Sequence, residues 1–192
     1  MKDVELSLTN KCNWHCDYCV ADIHNQPERP YEDVLRDARA IEAGSEVTFS
    51  GGEPGLLKRE QLEELIDVLK SKGCVIDLLT NGVFIKRYPD LLKEFGKVHY
   101  HCMEYLTDTI EFPTLDYDNV VHCLVVTDDE FRNGSILRVV NDYPHIKFLL
   151  LPDVRSGNKI NLNLMKSWLD EHGDKIHEGS LDEFITVVAR WH

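Results

Sequence analysis

The chain has 192 residues, enough for one domain with a sizeable core, and 43% of them are hydrophobic. Its net charge is −13, from 34 acidic and 21 basic residues, which argues against a broad phosphate-binding surface and so against general nucleic-acid binding. No run approaches the roughly 20 apolar residues of a membrane helix, and the opening Met-Lys-Asp-Val-Glu has no apolar signal core.

A cytoplasmic protein is therefore expected. In that setting the six cysteines point to a metal or redox site and not to a disulfide framework.

In chain order, Val4, Leu6 and Leu8 alternate with polar neighbours and predict a first strand. Cysteines Cys12, Cys16 and Cys19 follow at once, and residues 21–30, with Pro27 and Pro30, predict a loop. A helix is predicted over 31–43, with Val34, Leu35, Ala38 and Ile41 on one side and Gly44 as its stop. Val47 to Phe49 form a second strand that runs into Ser50-Gly51-Gly52-Glu53-Pro54. Leu62, Leu65, Ile66 and Leu69 mark the clearest helix, closed by Gly73.

Cys74 to Leu79 predict a third strand, ended by Thr80-Asn81-Gly82. Pro89 opens a short helix to Phe95, and Val98 to Met103 alternate as a fourth strand. Residues 105–118 read as a long loop and Val120 to Val126 as a fifth strand. A weaker helix within 128–142 and a strand from Ile146 to Leu151 come next. A helix over 161–172 ends at Gly173. Ser180 and Glu183 then form a capping box before Phe184, Val187, Val188 and Trp191.

Six strands alternating with helices imply right-handed crossovers and a parallel sheet. The expected class is α/β, a partial (β/α)6 TIM-like barrel open on one side, since the strands are fewer than the eight of a closed barrel. With no repeat, low-complexity segment or linker in sight, one domain over 1–192 is expected, its core within about 1–151 and a helical segment over 152–192.

Function in such folds collects on the loops after the C-terminal strand ends. The cysteines follow strand one, Gly-Gly-Glu-Pro follows strand two and Thr-Asn-Gly follows strand three, so all three are expected at one edge. The spacing of Cys12, Cys16 and Cys19 is C-x3-C-x2-C. Three thiolates are one short of the four that a cubane iron–sulfur cluster or a structural zinc site uses, which leaves one metal position open. A zinc knuckle completed by His15 or His24 is the competing reading. Gly51 and Gly52 let the backbone pass close to a ligand, and Glu53 offers a carboxylate suited to an ammonium group. A plain helix start would explain the same turn.

Together the two motifs resemble those of the radical S-adenosylmethionine (SAM) superfamily. The run Leu8-Thr9-Asn10-Lys11-Cys12-Asn13-Trp14-His15-Cys16-Asp17-Tyr18-Cys19 is similar to its cluster loop, and Ser50-Gly51-Gly52-Glu53-Pro54 to its second-strand motif. The resemblance implies that Cys12, Cys16 and Cys19 hold three irons of a [4Fe–4S] cluster, with SAM on the fourth. It implies Gly51, Gly52 and Glu53, beside Ser50, around the SAM amino group, and Tyr18 near the adenine. Asn81 after strand three and Glu104 after strand four are further candidates toward SAM, and Arg155 after strand six is a candidate carboxylate clamp. Each of these three is also explained as an ordinary turn or loop residue. Cleavage of SAM would give methionine and a 5′-deoxyadenosyl radical able to take hydrogen from a small-molecule or peptide substrate. The electron would come from a flavodoxin- or ferredoxin-type reductant.

Compact relatives of this kind include activating enzymes of glycyl-radical proteins and 7-carboxy-7-deazaguanine synthases. The latter have an Asp-Thr pair directly after the third cysteine, where this chain has Val20-Ala21-Asp22. The non-enzymatic alternatives are an iron–sulfur electron carrier and a zinc-stabilised interaction domain. A SAM-dependent methyltransferase lacks support, as no glycine-rich nucleotide loop follows strand one. Cys74, Cys102 and Cys123 lie in apolar strands and read as core thiols. His99 and His101 share one strand face, as a metal or proton pair or as a polar lining.

Overall fold

The computed structural model describes residues 2–19, 21, 23–102, 117–153, 161–177, 179–182 and 185. Its strands are β1 (Asp3–Thr9), β2 (Glu46–Gly51), β3 (Val75–Thr80), β4 (Val98–His101), β5 (Val120–Val126) and β6 (Leu149–Pro152), in chain order across the sheet. The pairs β1–β2, β2–β3, β3–β4 and β5–β6 are parallel. The fold class is therefore the one the alternating pattern implied: α/β with parallel strands in the order of successive β/α repeats. No helix among the described residues is long and apolar enough to cross a membrane.

The chain divides into two compact units. The first comprises Met1–His15, Ala21–Tyr100 and Tyr117–Val120. It holds α1 (Tyr31–Ala40), α2 (Arg59–Ser71) and α3 (Val83–Arg87). Leu62, Leu65, Ile66 and Leu69 of α2 are all buried, as their spacing required. They share the core with Leu6, Leu8, Phe49, Ile76, Leu78 and Leu92. Each such side chain contributes roughly 1.5–3 kcal/mol of transfer free energy. Phe95 meets Phe49 and Phe84 edge-on, with ring centroids 5.8 and 5.4 Å apart.

Three local expectations change in this unit. α1 stops at Ala40, before the expected residue 43, and Ile41 is already extended. The cause is Lys72, whose ammonium donates to the carbonyls of Ala38, Arg39 and Ile41 that would otherwise continue the helix. Gly44 sits beyond, at φ +73°, with its N–H on Lys72 O. The stretch Pro89–Glu94 is a 3-10 turn instead of an α-helix. The short α3 was not anticipated, although Phe84 and Tyr88 stand at helical spacing and their rings pack at 5.6 Å.

The second unit comprises Cys16–Val20, His101–Asp116 and Val121–His192. It holds α4 (Asp128–Arg132), α5 (Ser135–Asp142) and α6 (Leu162–His172). The single helix expected within 128–142 is two helices, divided at Gly134, whose φ is +79°. α6 begins where Asn161 Oδ1 accepts the N–H groups of Asn163 and Leu164. β6 starts at Leu149, three residues later than expected, because Phe148 bridges instead to Ile176. Ser180 is buried and its hydroxyl accepts the N–H of Leu150. Its expected partner Glu183, and Phe184, Val187, Val188 and Trp191, lie outside the described residues, as do 105–116 of the expected loop and Met103 of the expected fourth strand.

Candidate functional site

The cysteine run starts where β1 ends, and the start is tied down by hydrogen bonds. Glu28 accepts Thr9 Oγ1 at 2.7 Å and Asn10 N–H at 3.2 Å, while Asn10 Nδ2 donates to Pro27 O at 2.6 Å. The turn after β2 then clasps the same stretch: Gly52 N–H donates to Thr9 O at 2.6 Å and Glu53 N–H to Lys11 O at 2.8 Å.

The two glycines are what allow this approach. A Cβ on Gly52 would lie 2.0 Å from Lys11 O, and one on Gly51 would lie 2.5 Å from Ser7 Oγ and 2.6 Å from Thr9 O. Gly51 also has φ +101°. The β1–β2 register shifts between Ser7 and Thr9, at the level of this clasp. In this structure the glycines admit the chain's own backbone, one residue before Cys12.

Glu53 is buried, with 1% of its surface exposed. Its Oε1 accepts Gly55 N–H at 2.8 Å, Thr80 Oγ1 at 2.8 Å and Phe84 N–H at 3.2 Å, and its Oε2 accepts Asn81 N–H at 2.8 Å. Burial pushes its carboxyl pKa up from 4.5, while the four donors pull the other way. The side chain thus fastens the β2 turn to the end of β3. Ser50 is buried too, and its hydroxyl donates to Glu5 at 2.7 Å.

Asn81 completes the group. Its Oδ1 accepts Val83 N–H at 3.3 Å, and its Nδ2 donates to Asn13 Oδ1 at 2.9 Å and to Cys12 Sγ at 3.7 Å. Trp14 N–H adds a second contact to Cys12 Sγ at 3.4 Å. The motifs after β1, β2 and β3 are therefore linked through Glu53, Asn81 and Cys12.

Cys12, Cys16 and Cys19 are half-buried thiols. In the second unit Cys19 N–H donates to Cys16 O at 3.0 Å, closing a turn that carries Tyr18, which is half-buried. Among the described residues no three His, Cys, Asp or Glu side chains are gathered as a metal-ligand set. The two histidines of the zinc reading stack on each other at 3.8 Å, and His24 Nε2 lies 2.8 Å from Trp14 O. The donor chemistry at Cys12 fits a cluster thiolate: two N–H groups, from Trp14 and the Asn81 carboxamide, reach the sulfur of this half-buried residue.

Glu104 and Arg155 lie outside the described residues. His99 and His101 are half-buried while Val98 and Tyr100 are buried, the alternation expected of one shared face. Cys74, Cys102 and Cys123 are buried. Cys74 Sγ donates to Glu42 O at 3.5 Å, Cys102 Sγ to Cys123 O at 3.3 Å and Cys123 Sγ to Val121 O at 3.6 Å. Sequence reasoning missed Glu28, Asn13 and the four-donor setting of Glu53. The polar side chains flanking the cysteines, Thr9, Asn10 and Asn13, were the available signal.

A family model described as the radical SAM superfamily matches residues 6–122. Among curated relatives, a GTP 3′,8-cyclase of Nautilia profundicola is 32% identical over 103 residues, covering 48% of this chain and 31% of that protein. The Aquifex aeolicus enzyme of the same name is 35% identical over 106 residues, covering 50% and 32%. That of Actinobacillus pleuropneumoniae serotype 3 is 28% identical over 130 residues, covering 64% and 38%. The match thus spans about a third of these relatives' length. A solved structure described as native anSMEcpe with bound AdoMet has a TM-score of 0.60 at 16% identity, over 95% of this chain and 62% of that one. This last likeness shows the fold.

The matched span runs from β1 through the cysteine loop, the glycine clasp and the β3 turn, and on that ground the chain belongs to the radical SAM superfamily of enzymes, whose cofactors are a [4Fe–4S] cluster and SAM.

Proposed function

We propose that Cys12, Cys16 and Cys19 hold three irons of a [4Fe–4S] cluster, that SAM binds at the fourth, and that the chain catalyses hydrogen abstraction from a small-molecule or peptide substrate. The observation that carries this reading is the clasp. Gly52 and Glu53 bond to Thr9 and Lys11, so the turn assigned to the SAM amino group is fixed against the start of the cluster loop. When bound, the cofactor pair supplies one-electron reductive cleavage of SAM to methionine and a 5′-deoxyadenosyl radical.

The protein's share is positioning. Glu53 Oε1 is taken by three donors, so its remaining acceptor capacity toward an ammonium group lies on Oε2. The hydroxyl of Ser50 is engaged by Glu5, which leaves its backbone, with that of Gly51 and Gly52, for the amino group. Tyr18 is assigned to the adenine and Glu104 to the ribose or methionine part. The relatives' name supports a small molecule, GTP in their case, as one substrate class. A flavodoxin- or ferredoxin-type protein is the proposed reductant.

The test is anaerobic reconstitution followed by dithionite and SAM. 5′-Deoxyadenosine should form well above a protein-free control, and Cys16→Ala should lose both the cluster absorption and the product. A stable cluster without 5′-deoxyadenosine would favour an electron carrier, and tight zinc in place of iron an interaction domain.

A further inference from the structure

The geometry points to Asn81 as a positioning residue for the cluster: its carboxamide N–H is donated to the Sγ of Cys12, and so it sets the charge and orientation of one cluster thiolate. This rests on the proposed function, since it concerns a ligand of that cluster.

The orientation of the carboxamide follows from its partners. Oδ1 accepts Val83 N–H at 3.3 Å, which directs Nδ2 toward the cysteine loop. There its two hydrogens meet two acceptors, Asn13 Oδ1 at 2.9 Å and Cys12 Sγ at 3.7 Å. Turning the group over would set an oxygen against both acceptors and leave Val83 N–H facing a donor. The backbone is fixed as well, because Asn81 N–H donates to the buried Glu53 carboxylate at 2.8 Å. The Thr-Asn-Gly turn alone asks only for an Asn that accepts Val83 N–H. It gives no reason for Nδ2 to reach a sulfur 69 residues earlier in the chain.

An N–H donated to a cysteine sulfur withdraws charge from the thiolate. That stabilises the reduced, more negative cluster and raises its reduction potential. Trp14 N–H bonds the same sulfur from the loop backbone at 3.4 Å. Asn81 is the side-chain, and hence mutable, half of this pair.

The test is a redox titration of the reconstituted full chain without SAM. Asn81→Asp keeps the oxygen that accepts Val83 N–H and replaces the donor with an acceptor. Its cluster is expected at a lower midpoint potential than wild type at equal iron content and unchanged thermal midpoint. Asn13→Ala, which removes only the other Nδ2 partner, is expected to leave the potential in place. A wild-type potential in fully loaded Asn81→Asp would overturn the assignment.

A second measurement needs no cluster. In the metal-free, 15N-labelled chain, Cys12→Ala should shift the Asn81 carboxamide resonances and Cys16→Ala should not. An unshifted carboxamide in Cys12→Ala would overturn the assignment on its own. If wild type takes up no cluster at all, the functional reading falls, and the carboxamide resonances still decide this contact.

Discussion

Gly52 shows how much of the site depends on one missing carbon. A Cβ there would overlap Lys11 O at 2.0 Å, and backbone cannot swing aside as a side chain can. Gly52→Ala is expected to cost about 1–3 kcal/mol or more in urea unfolding. Gly73→Ala, where nothing lies within 4 Å and only the φ of +70° resists, should cost about 1 kcal/mol. Equal losses would mean that the clasp is not tight. Glu53→Gln keeps the shape but turns an NH2 toward a cluster of N–H and O–H donors. It is expected to cost about 1–3 kcal/mol in the same assay. Gly51, Gly52 and Glu53 were legible as a site from their place after the second strand and from the likeness of Ser50-Gly51-Gly52-Glu53-Pro54, together with the cysteine run, to the family's motifs. The sequence did not show that the three serve first to join β1, β2 and β3, since that depends on which donors folding brings to a buried carboxylate.

At the scale of the elements, apolar spacing located the six strands among the described residues. The errors fell at element ends, at the break at Gly134, and on the 3-10 turn at Pro89–Glu94 and the unanticipated α3. α1 was read too long because its terminator, Lys72, comes from the end of another helix, and no window around residue 40 contains it. The division at Gly134 was local and could have been read from that glycine. β5 carries a titratable consequence. His122 is 8% exposed, its ring edge-on to Phe148 at 6.1 Å, and burial, with the nearby His145, lowers its pKa from 6.5 to about 4. Between those values the unfolded chain binds the proton and the folded chain does not. Stability is then expected to be fully present above about pH 6.5 and to fall as pH drops toward 4, by roughly 3 kcal/mol at most. His122→Phe should flatten that part of the curve in urea titrations at pH 4.5 and 7.5. An unchanged slope would place the pH dependence elsewhere.

For the molecule as a whole, the order of motifs carried more than any single residue. Three strand ends in succession bear a cysteine run, Gly-Gly-Glu-Pro and Thr-Asn-Gly. Parallel β-strands place such ends at one edge, and the links from Glu53 to Asn81 and from Asn81 to Cys12 join all three. The substrate was not legible, because residues that contact it follow no fixed spacing. The central claim is that the three-cysteine site leaves an iron open for SAM. Its most direct measurement is electron–nuclear double resonance on the reduced, reconstituted protein with SAM labelled with 15N at the methionine amino group. A 15N coupling to the cluster should appear with labelled SAM and disappear with unlabelled SAM. A reduced cluster whose spectrum shows no such coupling at saturating SAM would contradict the account.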